Sequence, residues 1–554
     1  MAINKELRDT MSVVAVFVAA GAVIFANLLS DKRFVRWDLT AEQRFTISEP
    51  FMNILGKLKD PITVTYYVSD QVPLSFEQGK RDILDKLREI ETAGKGRITL
   101  KVVDPSPDKA LTKKLEEKGL MTSGADRGQD RMTMMKFFSA VEILYSSKVE
   151  PQYIPLVQAA EDLEYDLALK ILFLTREKRP LISIMLPRPD YAGSALTGGA
   201  SPTGFEWMLG EDNQQEYDLR SIRIDEVSGG VPKDTNLLVL IRPKDLSDRA
   251  RYEIQKYLAQ GGHVVLLAGT SRFIQDNAGR RVEQYKTGLE DYCRDFGVNW
   301  SHEILCDFYS VQVPIFAQIQ PENVKRDSPL TQDIYSIYAM NPTALLLDTD
   351  KLKASGLENE VLITTSSKSW SEPYSEVFDP TTISVARNKY EGEKPIMLHL
   401  KGQFPWKSGV VPPPWPKRKG MEDVKDPDPT LPETIAQLPG HLVIFTAPDS
   451  FQGEFLKSDL FKSNRSLMSH MIEYFAYGTD LVKIRTKRVE VRTIEKLGNP
   501  EQHFKRDAIK LALIGSVGLL VAVAGAIWFF LRHQSQVRYE RQYSETTGPS
   551  AFDA

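Results

Sequence analysis

The chain has 554 residues, with 70 lysines and arginines against 74 aspartates and glutamates, and a formal net charge of −4. This balance lacks the basic excess that nucleic-acid binding requires, so nucleic acid is excluded as a partner. The only two cysteines, Cys293 and Cys306, exclude a disulfide framework. One bridge between them is an alternative, and two free buried thiols are the preferred interpretation.

Two uncharged apolar segments lie near the ends of the chain, at residues 11–29 and 511–531. Each is long enough to cross about 30 Å of hydrocarbon as a helix, so we predict two transmembrane helices. A cleaved signal peptide is the alternative for the first segment, and a buried core helix for the second. Near the end of the second, Trp528 suits a membrane-interface anchor.

Two spans place both termini on one side of the membrane. We expect a bacterial cytoplasmic (inner) membrane protein with a cytoplasmic N-terminus at residues 1–10 and a disordered cytoplasmic tail at residues 532–554. The body between the spans is then extracytoplasmic, and residues 481–510 form its membrane-proximal segment.

Alternating strands and helices predict a thioredoxin-like domain over residues 30–178. The predicted strands are Ile62–Val68, Ile98–Val103, Met132–Phe138, Ala140–Tyr145 and Gln152–Pro155, and the helices are Phe76–Thr92, Asp108–Lys118 and Ala159–Phe173. Their βαβαββα order resembles the thioredoxin fold. No cysteine precedes Cys293, so this domain is predicted to be a scaffold without dithiol chemistry.

A second α/β domain is predicted over residues 179–480, with a Pro/Trp-rich insertion at 401–435. Its predicted strands are Leu181–Leu186, Tyr217–Ile224, Leu237–Ile241, His263–Ala268 and His441–Ala447, and its helices lie near Phe205–Asn213, Ser247–Gln260, Gly288–Phe296 and Asn464–Tyr477. Between them, residues 307–440 show extended patches at Val361–Thr365, Thr382–Arg387 and Ile396–Leu400, separated by polar stretches. Strands joined by such helices indicate a parallel sheet covered on both faces, of the flavodoxin or glutamine-amidotransferase type.

The insertion carries aromatic and basic side chains that suit contact with a protein partner or with lipid headgroups. They are Trp406, Trp415, Lys417, Arg418 and Lys419. The alternative is a solvated linker whose tryptophans fold back on the body.

No catalytic, cofactor-binding or metal-binding constellation is found in the sequence. The glycine-rich loop Ala192–Gly204 follows a predicted strand, but its glycines do not fit a dinucleotide-binding pattern, and a flexible exposed loop is the preferred interpretation. The seven histidines have no metal-ligand spacing, and no nucleophile elbow occurs. We therefore expect no cofactor and no enzymatic activity.

Several segments, taken in order, resemble the GldG-like ABC transporter auxiliary proteins. They are Trp37–Ser48 (WDLTAEQRFTIS), Ile98–Pro105 (ITLKVVDP), Tyr217–Gly269 with its VPKD turn, and the helix Asn464–Tyr477. The family's short element after Gly402 departs from its pattern here, because Gly402-Gln403-Phe404 runs directly into the insertion.

The resemblance implies a non-enzymatic accessory subunit that works with a separate ABC-type permease and ATPase, in some members for gliding motility. Two other functions stay open at this point. One is a membrane-anchored scaffold that forms homo-oligomers or contacts lipid, and the other is a membrane-anchored hydrolase.

Overall fold

The computed structural model describes residues 46–127, 132–148, 150–176, 178–187, 204–210, 217–224, 230–276, 279–375, 379–383, 389–407, 409–416, 434–485, 525–526, 528–535 and 537–538. The chain divides into two units, residues 1–488 and 489–554. In the second unit the described residues are helical, and Trp528, Phe529 and Phe530 are exposed.

The first sheet of the first unit lies in its N-terminal part. Its strands are β1 (Ile62–Val68), β2 (Ile98–Val103), β3 (Met121–Arg127), β4 (Met132–Tyr145) and β5 (Gln152–Ile154), and the accompanying helices are α1 (Glu49–Gly56), α2 (Leu74–Ala93), α3 (Lys109–Glu117) and α4 (Ala160–Thr175). The order is β2-β1-β4-β3, with β5 also paired to β4. β1 and β2 are parallel, whereas β4 is antiparallel to its partners β1, β3 and β5.

Two features of this sheet differ from the sequence prediction. The predicted strands Met132–Phe138 and Ala140–Tyr145 form one continuous strand, because the intervening Ser139 is fully buried and donates its hydroxyl to the carbonyl of Val157 at 2.8 Å. The polar strand β3 was not predicted, since its sequence MTSGADR lacks the apolar alternation of a half-buried strand.

The remaining strands are β6 (Leu181–Met185), β7 (Asp218–Ser221), β8 (Thr235–Ile241), β9 (His263–Leu267), β10 (Ser271–Asp276), β11 (Gly279–Gln284), β12 (Val298–Trp300), β13 (Ile304–Asp307), β14 (Phe316–Ile319), β15 (Ile337–Met340), β16 (Leu345–Leu347), β17 (Glu358–Thr364), β18 (Ser369–Glu372), β19 (Pro395–Gly402) and β20 (Gly440–Phe445). The helices are α5 (Asp248–Ala259), α6 (Glu290–Asp295), α7 (Thr349–Ser355), α8 (Gly453–Leu456), α9 (Lys462–Tyr477) and α10 (Thr479–Arg485). Short 3₁₀ helices occur at Glu206–Leu209, Pro321–Asn323, Pro380–Thr382, Pro448–Phe451 and Asp459–Phe461.

Seven of these strands form the largest described sheet, in the order β17-β19-β20-β9-β8-β6-β7. The five strands from β20 to β7 are parallel, but β19 and β17 are antiparallel to their neighbours. The prediction of a purely parallel sheet is therefore wrong at one edge. Extended patches at Val361–Thr365 and Ile396–Leu400 were predicted close to these two strands, but a local pattern does not give the direction in which strands pair. Four further strand pairs are two-stranded, and their residues fall between β9 and β19 in the sequence. They are β10-β11, β12-β16, β13-β18 and β14-β15.

The seven-stranded sheet is apolar on both faces, as expected of covered parallel strands. Leu237, Val239 and Ile241 of β8 belong to one hydrophobic cluster, whereas Leu238 and Leu240 belong to another with helices α5 and α6. The first cluster also includes buried side chains of α9, α10 and the N-terminal sheet. One core therefore extends through both predicted domains.

The prediction of one transmembrane helix at each end of the chain is corrected. Among the residues that the structure describes, no helix combines the length and the apolarity needed to cross a membrane. The first predicted span, 11–29, and most of the second, 511–531, lie outside the described residues. The described helical stretch 528–535 covers only about 12 Å at 1.5 Å per residue. The described residues accordingly have a mixed α/β fold with several sheets, and flanking spans are not shown among them.

The predicted localisation in the inner membrane is corrected together with the two predicted transmembrane helices. A two-span inner-membrane protein with an extracytoplasmic body was inferred from those two segments alone, so the inference is not supported once the spans are not found in the described chain.

Candidate functional site

The carboxyl edge of the parallel strands is where open α/β sheets bind ligands, at the point where the strand order reverses. The chain here runs from β6 to β7 on one side and then to β8 on the other side of β6. The reversal therefore lies between the carboxyl ends of β6 and β8. Arg242 is the first residue after β8.

Arg242 has an unusual backbone conformation, with a φ of 42° in the left-handed region. Side chains other than glycine are uncommon there, and such strain costs on the order of 1 kcal/mol or more. The surrounding structure maintains it, since the Arg242 amide donates to the carbonyl of Leu267 at 2.8 Å. The strain fixes where the side chain leaves the edge of the sheet.

A buried ion pair forms at this edge. Arg242 Nη1 donates to Asp449 Oδ1 at 2.8 Å, and both residues are nearly inaccessible, at 5% and 6% exposure. Asp449 belongs to the 3₁₀ helix that follows β20, and the Gln452 side-chain amide donates to the same carboxylate oxygen at 3.1 Å. The guanidinium also stacks over Phe205, 5.1 Å from the ring centroid.

The other two nitrogens of this guanidinium have no such partner. Nε and Nη2 of Arg242 are inaccessible to solvent and make no hydrogen bond within the described part of the chain. Leaving buried donors of a charged group unsatisfied is costly. The ion pair thus satisfies one side of the guanidinium and leaves the donors of the other side without a partner in the described chain.

The polar groups around this pair are satisfied by one another. The Tyr285 hydroxyl accepts a hydrogen bond from the Gly269 amide at 3.2 Å, and the Thr270 hydroxyl donates to the Ser301 carbonyl at 2.9 Å. Burial raises the pKa of Tyr285, so its hydroxyl is neutral, although the nearby positive charge of Arg242 acts in the opposite direction. These groups support the site and offer no ionised base.

The structure brings two predicted contact residues onto helix α5. Trp415 is 7% exposed and lies under Arg249, whose guanidinium is 4.5 Å from its ring centroid. Trp406 is half-buried, with its ring centroid 5.1 Å from that of Tyr252. Both tryptophans thus fold back on the body. Their role in partner contact stays a prediction.

Of the other predicted contact residues, the structure describes only Trp528. Lys417, Arg418 and Lys419 lie outside the described residues. Trp528 is exposed, and the Arg532 guanidinium lies 5.1 Å from its ring centroid. Its role as an interface anchor was inferred from the sequence alone.

The two cysteines are free and buried, as the preferred interpretation predicted. Burial raises the pKa of both Cys293 and Cys306 far above the usual thiol range. A protonated, inaccessible thiol is a poor nucleophile.

A histidine cluster was missed by the sequence analysis. His263, His399 and His441 lie on the neighbouring strands β9, β19 and β20, and Nε2 of His399 is 2.9 Å from Nδ1 of His441. The three histidines have no regular spacing in the sequence, because the pairing of their strands brings them together. Among the described residues no group of three or more histidine, cysteine or acidic side chains is arranged to hold a metal ion.

A cleft of about 810 Å³ opens at the opposite, amino edge of β6, β7 and β8. Its lining carries both signs of charge, from Arg176, Lys178, Arg179, Asp218 and Asp234. Arg176 is engaged there, since its Nη1 donates to the carbonyl of Ala476 at 2.8 Å.

The fold and the carboxyl-edge site define a mixed α/β protein without a recognisable catalytic constellation in its described residues. Residues 173–459, slightly more than half of the chain, match the auxiliary family described as "ABC-type uncharacterized transport system". The chain belongs to this family of ABC transport auxiliary proteins. This confirms the general family predicted from the sequence, and the narrower GldG assignment stays a prediction. Residues 41–163 match a domain of unknown function (DUF7088).

No curated protein matches the chain. Among solved structures, similarity is found to a protein described as ThuA-like from Bacteroides uniformis ATCC 8492, with 12% identity and a TM-score of 0.23, over 40% of this chain and 79% of that one. The exo-beta-1,4-mannosidase Op5Man5 from Opitutaceae bacterium strain TAV5 has 10% identity and a TM-score of 0.24, over 72% of this chain and 50% of that one.

Proposed function

We propose that the protein is a non-catalytic accessory subunit that works with separate permease and ATPase chains of an ABC-type transport system. The family match over residues 173–459 carries this proposal. A link to gliding motility rests only on the resemblance to GldG-like proteins.

The chemistry of the described residues is consistent with a non-catalytic role. Both cysteines and the carboxylate at the carboxyl-edge site are buried and either neutral or paired. Cys293 and Cys306 are protonated thiols, and Asp449 is held by Arg242. Such groups serve structure or binding more readily than turnover.

The direct test is recovery of partners. We expect a tagged intact chain, purified from its native host in a mild detergent that preserves ABC permeases, to bring with it a polytopic permease and an ATPase with a phosphate-binding loop. Mass spectrometry of the eluate identifies both. Recovery of the chain alone, or only of further copies of itself, would contradict the proposal and favour a self-assembling scaffold.

The Pro/Trp-rich insertion can be tested in the same experiment. Val411 is 46% exposed on the insertion, and Val102 is 48% exposed on β2. If the insertion contacts a partner, V411D lowers permease recovery several-fold, whereas the matched substitution V102D leaves it unchanged. Equal recovery with both variants would place the contact elsewhere.

A further inference from the structure

The edge of the Arg242 guanidinium that carries Nε and Nη2 is the edge with which arginine binds oxyanions. Its Nη1 is held by Asp449, which leaves Nε and Nη2 without a partner in the described chain. These two N–H groups lie on one edge of the planar guanidinium and point in nearly the same direction. They form the fork that binds a carboxylate or a phosphate through two parallel hydrogen bonds.

Arg272 shows the same fork in use. Its Nε and Nη2 both donate to Glu283 Oε2, at 3.2 and 2.8 Å. The chain thus supplies a carboxylate to one arginine fork, whereas the corresponding edge of Arg242 meets none in the described residues. Because unsatisfied buried donors of a charged group are costly, a ligand that satisfies them gains that free energy on binding.

Three independent features coincide at Arg242. The fork is unsatisfied, the backbone is strained at a φ of 42°, and the residue immediately follows β8 at the reversal of strand order. Backbone strain collects at ligand sites, and the reversal point is the usual location of the ligand crevice in open α/β sheets.

We propose that Arg242 binds a small ligand through a carboxylate or phosphate group, which accepts hydrogen bonds from Nε and Nη2 at the carboxyl ends of β6 and β8. Asp449 is a positioning residue that fixes the guanidinium through Nη1. Phe205 supports the guanidinium from one face. This proposal goes beyond the accessory role and does not depend on it, because binding is a property of the purified chain alone.

The test uses thermal unfolding of the purified intact chain with inorganic phosphate or succinate as the probe. At 10 mM probe we expect the midpoint to rise by about 2 °C or more above that in sodium chloride of equal ionic strength. A response to phosphate alone identifies a phosphate-bearing ligand, and a response to succinate alone identifies a carboxylate. No rise with either probe overturns the proposal.

Two lysine variants separate the fork from general salt effects. R242K keeps a positive charge for Asp449 but loses the bidentate edge, so we expect it to lose most of the probe-induced rise. R272K loses a fork that is already occupied, and it should keep the full rise. A full rise in R242K would overturn the proposal.

A third variant covers the case in which R242K fails to fold. D449N keeps an oxygen that accepts from Nη1, so the guanidinium stays in position, and the variant removes the neighbouring negative charge. We therefore expect it to bind the effective probe several-fold more tightly by calorimetry. Unchanged or weaker binding by folded D449N would count against the fork as the binding group.

Discussion

Three histidines share one partly buried site because strands β9, β19 and β20 are neighbours. His399 and His441 stack with ring centroids 5.1 Å apart, and His263 meets His441 edge-on at 4.9 Å. One ring nitrogen of the His399–His441 pair must donate and the other accept, so the contact needs at least one neutral ring. Burial lowers the pKa of His399 to about 4 and that of His441 to about 3, against an ordinary 6.5.

These shifts predict that the protein loses stability in mild acid. Because the folded pKa values lie below the unfolded value, the stabilisation is complete above about pH 6.5 and is lost as pH falls towards 4. The loss is up to about 1.4 kcal/mol per pH unit for each histidine. The charges of Glu360 and Glu358 favour protonation of His399, whereas that of Lys401 opposes it. Urea unfolding between pH 7.5 and 5 measures the slope.

Two glutamine variants assign this pH dependence. H441Q should flatten the slope, because it removes one titrating ring and its contact with His399. H302Q, at an exposed position, should leave the slope as it is. Equal slopes in the wild type and H441Q would show that other groups dominate the acid sensitivity.

Gly269 supports the carboxyl edge by its lack of a side chain. A Cβ there would lie 2.6 Å from the Thr343 hydroxyl and 2.7 Å from the Thr446 carbonyl. We therefore expect G269A to destabilise the protein by about 1–3 kcal/mol through overpacking. In contrast, G79A lies inside helix α2, where the nearest atom would be 3.5 Å away, and should stabilise by about 0.5–1 kcal/mol. Chemical denaturation distinguishes the two, and a stabilised G269A would contradict the packing described here.

At the scale of secondary-structure elements, one carboxylate joins three helices. Glu164 of α4 lies 3.3 Å from Lys86 of α2, and its other oxygen accepts from the amide of Ser48, the N-cap residue of α1. Both Lys86 and Glu164 are buried. A buried charge is tolerated when it is paired and becomes costly when its partner is removed.

Removal of the lysine should therefore weaken the packing of these helices. We expect K86M to lower the free energy of unfolding by about 3–5 kcal/mol, because Glu164 then remains buried without its cation. The matched variant K113M breaks an exposed pair with Glu117 on α3 and should change stability by less than about 0.5 kcal/mol. Similar values for the two variants, measured by urea denaturation, would show that the buried pair contributes no more than a surface one.

Elements with a strong local pattern could be predicted from the sequence. Strands Ile62–Val68 and Ile98–Val103 have the bounds predicted for them. Their β-branched residues favour a strand, and the turn residues on either side limit its length. The start of α5 after Ser247 was also predicted, and the Ser247 hydroxyl does accept from the amide of Ala250. Between β9 and β20, the extended patches Val361–Thr365 and Ile396–Leu400 were predicted close to β17 and β19, whereas the pairing of these strands was not.

The candidate site was harder to predict for the same reason. Arg242 was visible only as a charged residue after an apolar strand, and its significance depends on Asp449, which lies far along the chain. The histidine cluster likewise depends on the pairing of β20 with β9 and β19. Local periodicity has no information about such pairings.

At the scale of the whole molecule, the continuous core predicts one cooperative transition for the described body. Side chains of the N-terminal sheet and of the seven-stranded sheet belong to one hydrophobic cluster. Lys86 lies beside the N-terminal sheet, and Gly269 follows β9 of the seven-stranded sheet. K86M and G269A should nevertheless each lower the midpoint of the same calorimetric transition. Separate transitions, each sensitive to one variant, would instead reveal two independently folding domains.

Helices α1 and α10, the first and last helices described in this unit, pack against each other, and Leu481 and Ile484 of α10 share a core with Phe51 and Ile54 of α1. A pulling force applied to the chain on either side of the body would therefore enter through this one helix pair. The packing of α10 against α1 and α4 therefore contributes to the tension at which the body begins to open.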